Sequence, residues 1–322
     1  MHAELPSESV CPSVARQPLA HARCPSVEGQ QSAACAKMKA DFGLPIDMED
    51  LDFTRPARDE IYDPAVARTC FEVLGKPEAF VQSSPFFTEG ETTDRMYLLL
   101  EGEASLIRNK KLIDIIKPGE IFGELAAITQ QPRTASAVAR TACRAISLDA
   151  KQFQQAIQRV PEFALMLMSI MINRLRLTDA MARMTNSLPN WGEKDESMVF
   201  DRKLVEELAT TISPSRCPKG RIIMNEGEAG IFFYVVLQGR VAISIQSTVI
   251  ERVGPGGVFG EMALVDQSPR AASATAETDC SLMAINRKEF MALVRTKPAF
   301  EVALLKALAK RFRYMTVQQG QV

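Results

Sequence analysis

The sequence predicts an α+β chain, mainly β, in which two copies of one barrel- or sandwich-like domain follow each other with helices at their flanks. Three observations predict it. The chain repeats itself without a gap at an offset of 137 residues. Each copy is a series of short apolar runs punctuated by turn residues, and helical periodicity begins where those runs stop.

The repeat is dense. Between residues 86 and 163, 26 of 78 aligned pairs are identical, far above chance. Glu89-Gly90-Glu91 falls on Glu226-Gly227-Glu228, Tyr97 on Tyr234, Gly102 on Gly239 and Pro118-Gly119 on Pro255-Gly256. So long a period excludes a solenoid of short units and means a duplicated domain.

Within each copy, residues 96–100 and 232–237 are apolar runs that end at Gly102 and Gly239, as strands entering a tight turn do. Residues 104–108 and 241–245 continue the hairpins, with Asn109-Lys110 and Gln246-Ser247 at the tips. Further strands read at 112–116, 136–142 and 145–148, with counterparts near Val249, Ser273 and Leu282. Asp149 and Asn286 are placed to cap a helix, and Pro161 and Pro298 suit the first turn of a second one.

In the first copy that second helix carries a seven-residue pattern. Val160, Leu167, Met181 and Leu188 form one row and Phe163, Ile170, Leu177 and Met184 another, with Arg174 the only polar interruption. Pro189-Asn190 should end the helix near Leu188. The stripe has two readings: a homodimer seam through helix 162–188, or the lid and core helix of its own domain. The chain thus divides into a tail, 1–45, a first domain, 46–188, a linker, 189–197, and a second domain, 198–322. Prolines at 6, 12, 18, 25 and 45, without apolar periodicity, predict disorder in the tail.

Composition narrows the function. A net charge of -1 gives no general attraction to nucleic acid or to an anionic membrane. Seven scattered cysteines without a Cys-x-x-Cys read as reduced thiols in a cytoplasmic protein. No signal segment is expected, and the longest apolar stretch, 163–172, is too short for a membrane span. With His2 and His21 the only histidines, both in the tail, no metal, cofactor or catalytic set is expected, and the chain is not read as an enzyme.

The chemistry concentrates in a motif that occurs twice. Phe122-Gly123-Glu124-Leu125-Ala126-Ala127 is followed by Arg133-Thr134-Ala135-Ser136, and Phe259-Gly260-Glu261-Met262-Ala263-Leu264 by Arg270-Ala271-Ala272-Ser273. Each copy sets a carboxylate and a guanidinium nine residues apart among small residues that let a ligand approach the backbone. A cyclic phosphodiester on a ribose needs both groups: the glutamate accepts from the 2′-hydroxyl and the arginine pairs with the phosphate. Backbone amides at the start of a short helix after Gly123 and Gly260 would add to the anion site. The plainer alternative is an internal Glu–Arg salt bridge.

Phe-Gly-Glu-x-Ala, a short spacer and Pro-Arg-x-Ala resembles the phosphate-binding cassette of cyclic-nucleotide-binding domains, and the upstream Glu-Gly-Glu and the hairpin glycine match that family too. In tandem, the copies look like the regulatory subunit of cyclic-AMP-dependent protein kinase, or like bacterial cyclic-AMP effectors without a DNA-binding domain. The resemblance implies two β-rolls (jelly-roll-like) with flanking helices, the last helix moving over the ligand. It assigns Glu124 and Glu261 to the ribose and Arg133 and Arg270 to the phosphate of a cyclic nucleotide, cyclic AMP first.

The copies differ. Ala127 stands where the family has a larger aliphatic residue, which should loosen the short helix. Thr134 stands where the second copy has Ala271; in the family alanine goes with cyclic AMP, and threonine with sites that accept cyclic GMP. Trp191 is a candidate to stack on the base of the first site, and Tyr314 or Phe312 on that of the second. The 37 residues after residue 285 are expected to form two flanking helices rather than a DNA-reading domain. The expected protein is a ligand-controlled regulator of an effector protein that the sequence does not identify. The alternatives are a kinase regulatory subunit, for which Arg23-Cys24-Pro25-Ser26-Val27 is a poor pseudosubstrate, and a barrel scaffold that binds nothing.

Overall fold

The computed structural model describes residues 63–184 and 199–319. The tail, the linker and Trp191, and the expected helix end near Leu188, lie outside the described residues. Among the described residues, each domain opens on a helix the periodicity did not reveal, α1 (Pro64–Leu74) in the first and α5 (Arg202–Ala209) in the second. Asp63 accepts from the Ala65 amide and Asp201 from that of Leu204, so a short acid opens each helix.

The first β-roll is built from β1 (Lys76–Phe80), β2 (Pro85–Phe87), β3 (Met96–Glu101), β4 (Ala104–Arg108), β5 (Lys111–Ile116), β6 (Ile121–Phe122), β7 (Ser136–Ala139) and β8 (Cys143–Leu148). They form two antiparallel four-stranded sheets, ordered β1-β8-β3-β6 and β2-β7-β4-β5. A six-residue helix, α2 (Glu124–Thr129), interrupts the strands between β6 and β7. The second roll repeats this with β9 (Ser215–Cys217), β10 (Ile222–Met224), β11 (Phe232–Gln238), β12 (Val241–Ile245), β13 (Thr248–Val253), β14 (Val258–Phe259), α6 (Glu261–Asp266), β15 (Ser273–Ala276) and β16 (Cys280–Asn286). Its sheets read β14-β11-β16-β9 and β10-β15-β12-β13. Pairing keeps the offset of the repeat: Tyr97 lies opposite Phe122, and Tyr234 opposite Phe259.

Aromatic rings fill the rolls. Phe122 meets Phe86 edge-on at 5.0 Å and stacks with Tyr97 at 5.4 Å, while Tyr234 stacks on Phe259 at 5.0 Å. Rings at these separations add about 0.5–1.5 kcal/mol per pair to the area they bury. Residues 140–142, expected as strand, leave the sheet after Ala139, where the Arg140 amide donates to the Glu103 carbonyl.

Two helices close each domain. Asp149 and Gln152 form a capping box at α3 (Ala150–Arg159), and Asn286 and Glu289 do the same at α7 (Arg287–Thr296). Pro161 and Pro298 are the first residues of α4 (Pro161–Met184) and α8 (Pro298–Gln319).

The two long helices join the domains. α4 packs on α8, α4 also touches α6 of the second domain, and α8 touches α2 of the first. The buried part of the stripe on α4 therefore packs within the chain, as a lid and core helix does. Phe163 meets Phe71 and Phe153 of its own domain edge-on, Leu167 is fully buried, and Leu177 is 63% exposed. Among the described residues no helix is long and apolar enough to cross a membrane.

Candidate functional site

β6 ends at Phe122, and the chain must turn at once into α2. Gly123 makes that turn at φ 76°, as Gly260 does at 82° before α6, a region L side chains rarely adopt. Space imposes the same choice. A Cβ at Gly123 would lie 2.9 Å from Nη1 of Arg133, and one at Gly260 2.7 Å from Nη1 of Arg270. The expected loosening by Ala127 does not shorten α2, which spans six residues as α6 does, with Ala127 as buried as Leu264.

The arginines are held from both ends. The Gly90 amide donates to the Arg133 carbonyl and the Arg133 amide to the Glu91 carbonyl, both at 2.9 Å. In the second domain the Gly227 amide and the Glu228 carbonyl grip Arg270 in the same way. The upstream Glu-Gly-Glu thus fixes the arginine backbone, a role its spacing did not disclose. The Arg133 guanidinium donates to the carbonyls of Gly123 and Arg95 and to Thr93 Oγ1 at 2.6–2.9 Å, and lies 3.9 Å from the centre of the Phe87 ring. Arg270 donates to the carbonyls of Gly260 and Phe232. Burial pulls both guanidinium groups below their usual value, yet they stay protonated.

Glu124 and Glu261 are buried at the first position of α2 and α6. A salt bridge does occupy each, as the plainer reading of the motif foresaw, but the partner is a different arginine. Arg174 of α4 donates to Glu124, and Arg311 of α8 donates to Glu261. Arg311 also reaches Glu251 of β13 at 3.3 Å. Burial draws the Arg311 guanidinium down, but Glu251, Glu261 and Asp179 outweigh it and leave it raised. Arg174 had read only as an interruption of an apolar row. The signal that could have found it is the repeat, which carries Arg174 onto Arg311 and Arg176 onto Arg313.

Each cassette lines one cavity. In the first domain Gly123, Glu124, Leu125, Ala126, Arg133 and Thr134 bound a space of about 330 Å³ together with Arg108, Asp114 and Arg174. In the second, Gly260, Glu261, Met262, Ala263, Arg270 and Ala271 bound about 60 Å³ with Glu251, Arg311 and Asp179. The aromatic candidates divide differently from expectation. Phe312 lines the first cavity, not the second, and Tyr314 lines neither; it packs, half-buried, against the apolar core. The second cavity has Met315 from α8.

Residues 77–160 and 214–297 match the cyclic nucleotide-binding domain family. The chain belongs to that family. It carries two such domains in tandem, each a jelly-roll-like β-structure with flanking helices. It is 27% identical over 209 residues to the cAMP-dependent protein kinase regulatory subunit of Yarrowia lipolytica, covering 64% of this chain and 51% of that one. To cGMP-dependent protein kinase 2 of Homo sapiens it is 28% identical over 225 residues, covering 67% and 27%. The solved regulatory domain of Toxoplasma gondii PKA with cAMP covers 73% of this chain and 87% of that one at 22% identity, with a TM-score of 0.28. The chain spans about half or less of the length of the curated relatives it matches.

Proposed function

We propose that this chain is a cyclic-nucleotide sensor, with cyclic AMP its principal ligand, that changes conformation on binding and so regulates a partner protein. The observation that supports it is the same constellation in both domains: a buried glutamate at the start of a short helix and a buried arginine behind it, opening on one cavity. The first cavity, about 330 Å³, falls within the ~300–1,000 Å³ of small-molecule sites. It offers an anion three arginines, Arg108, Arg133 and Arg174, against two carboxylates. The second offers Arg270 and Arg311 against Asp179, Glu251 and Glu261 in a space of about 60 Å³, so a nucleotide enters there only if a wall moves.

In this reading the ring phosphate takes hydrogen bonds from Arg133 or Arg270 and from the first amides of α2 or α6. The ribose 2′-hydroxyl donates to Glu124 or Glu261. That carboxylate is already held by an arginine on a terminal helix, so binding at the cassette is felt by α4 or α8. A ligand shifts an equilibrium only through such differential contacts.

Isothermal titration of the chain with cyclic AMP, then cyclic GMP, tests this. Two sites per chain are expected, with the first filling more tightly. Absence of heat and of thermal stabilisation with either would overturn it in favour of a barrel scaffold. The relatives named as kinase regulatory subunits support a second reading, in which the partner is a kinase catalytic subunit. Co-purification of a kinase released by cyclic AMP would select it.

A further inference from the structure

The second domain holds a pair of thiols where the first has a thiol and a ring. β9 lies at the edge of its sheet, and its last residue, Cys217, stands directly opposite Cys280 of β16. Both are buried free thiols, while Arg216 and Ser281 beside them are more exposed, so the two sulfurs share the inner face of the sheet. The repeat carries these positions onto Phe80 and Cys143, which also stand opposite each other. There Phe80 packs on Phe86 at 3.8 Å and meets Tyr97 edge-on at 6.1 Å. Cys143 and Cys280 have a task in common. Each Sγ donates to hairpin carbonyls, those of Glu103 and Thr141 in the first domain and of Arg240 and Thr278 in the second. That accounts for a cysteine on β8 and on β16. It does not account for Cys217.

We propose that Cys217 and Cys280 are a redox-sensitive pair, and that a disulfide between them staples β9 to β16 under oxidising conditions. Directly opposite residues of an antiparallel pair have Cα atoms about 4.5–5.5 Å apart, inside the roughly 4.4–6.8 Å that a disulfide spans. The oxidant is a small disulfide such as glutathione disulfide. One cysteine thiolate attacks it, releasing one glutathione and leaving a mixed disulfide. The second thiolate attacks the protein sulfur of that mixed disulfide and releases the other glutathione. Two protein thiols thereby lose two protons and two electrons, and the small disulfide gains them. The exchange is slow, because burial pushes the Cys217 thiol up to about 11 and the thiolate is the attacking species. It proceeds when the edge strand, only three residues long, opens locally. The loop that the bond closes holds more than 60 residues, the second cassette among them, so the bond narrows the unfolded ensemble of that domain. The proposal is independent of the sensor reading.

The test uses the full chain with Cys11→Ser, Cys24→Ser and Cys35→Ser. It is held with glutathione disulfide at pH 8.5, near the ordinary thiol value, then unfolded, and its thiols are counted and alkylated before digestion and mass spectrometry. The count should fall from four, Cys70, Cys143, Cys217 and Cys280, to two. One linked peptide should join Cys217 to Cys280, with Cys70 and Cys143 alkylated. Cys143 is the internal control, since it has the contacts of Cys280 but a ring opposite it. The unfolding temperature should rise by on the order of 10 °C and return with dithiothreitol. Cys217→Ala, added to the same chain, should keep every remaining thiol and show no rise. A count that stays at four, a linked peptide that joins any other two cysteines, or an equal rise in Cys217→Ala overturns the pair.

Discussion

Arg311 donates to Glu261 from 50 residues further along the chain, and places on that carboxylate the helix that ends the second domain. Arg174 does the same for Glu124. The arginines are not equivalent: Arg174 serves one carboxylate, while Arg311 serves Glu261 and Glu251 with Asp179 close by. Removing one member of a buried pair strands the other's charge, at about 3–5 kcal/mol. Arg311→Ala should therefore destabilise the chain by about that much, and Arg174→Ala by less, since its side chain is 28% exposed against 12% for Arg311. Urea denaturation of both variants checks this; equal losses would mean that the three-carboxylate cluster adds nothing.

Arg270 has a narrower role to test. Its guanidinium already satisfies the Gly260 and Phe232 carbonyls, so it stands in place before a phosphate arrives. Arg270→Ala should lower cyclic-AMP affinity at the second site by roughly 2–5 kcal/mol, as truncation of a desolvated charge pair does. A folded variant, shown by circular dichroism, that still titrates with two unchanged sites would remove Arg270 from the phosphate.

How far the residues announced this arrangement depends on which contacts were local. The cassettes were legible because a glutamate beside a glycine and an arginine nine residues on form one short contiguous pattern, although the contacts that hold the arginine backbone come from Gly90-Glu91 and Gly227-Glu228 far upstream. All six residues expected of each cassette line its cavity. The long hairpins were legible because alternation and turn glycines are local too. β1 and β6 were not. Lys76-Pro77 at the head of β1 reads as a break, and β6 has two residues, so both are strands only through their partners β8 and β3. The assignment of Phe312 failed for a related reason. A residue on the last helix can face its own domain or the neighbouring one, and only the packing of α8 against α2 decides it. The heptad stripe on α4 is buried at Phe163 and Leu167 but not at Leu177, and periodicity alone cannot say whether the partner of such a stripe is another copy or another helix of the same chain.

Thr134 lines the first cavity where Ala271 lines the second. If its hydroxyl contacts the base, cyclic GMP should bind the first site better than the second. Thr134→Ala should then cost cyclic GMP about 1 kcal/mol, the net worth of one hydrogen bond, and leave cyclic AMP within twofold. Competition titrations of both nucleotides against the Arg270→Lys background measure it. An equal loss for both would assign Thr134 to the strand alone.

Glu301 on α8 is 1% exposed, and its Oε2 has no hydrogen-bond partner among the described residues. Burial, with Glu162 of α4 adding repulsion, pushes its carboxyl from 4.5 up to about 7. The unfolded chain releases this proton near 4.5, whereas the folded chain keeps it to about 7. Between those values the folded state binds more protons. Stability therefore falls as pH rises through the window and levels off above about 7. Glutamine copies the protonated acid without its titration. Glu301→Gln should be the more stable protein at pH 8, by about 3 kcal/mol, with the gap closing toward pH 4.5. Because Glu301 and Glu162 sit where α8 meets α4, the same substitution should hold the two terminal helices together at high pH. Urea midpoints of both proteins from pH 5 to pH 8 decide it: parallel curves would show that Glu301 stays ionised in the fold and that some other group sets the slope.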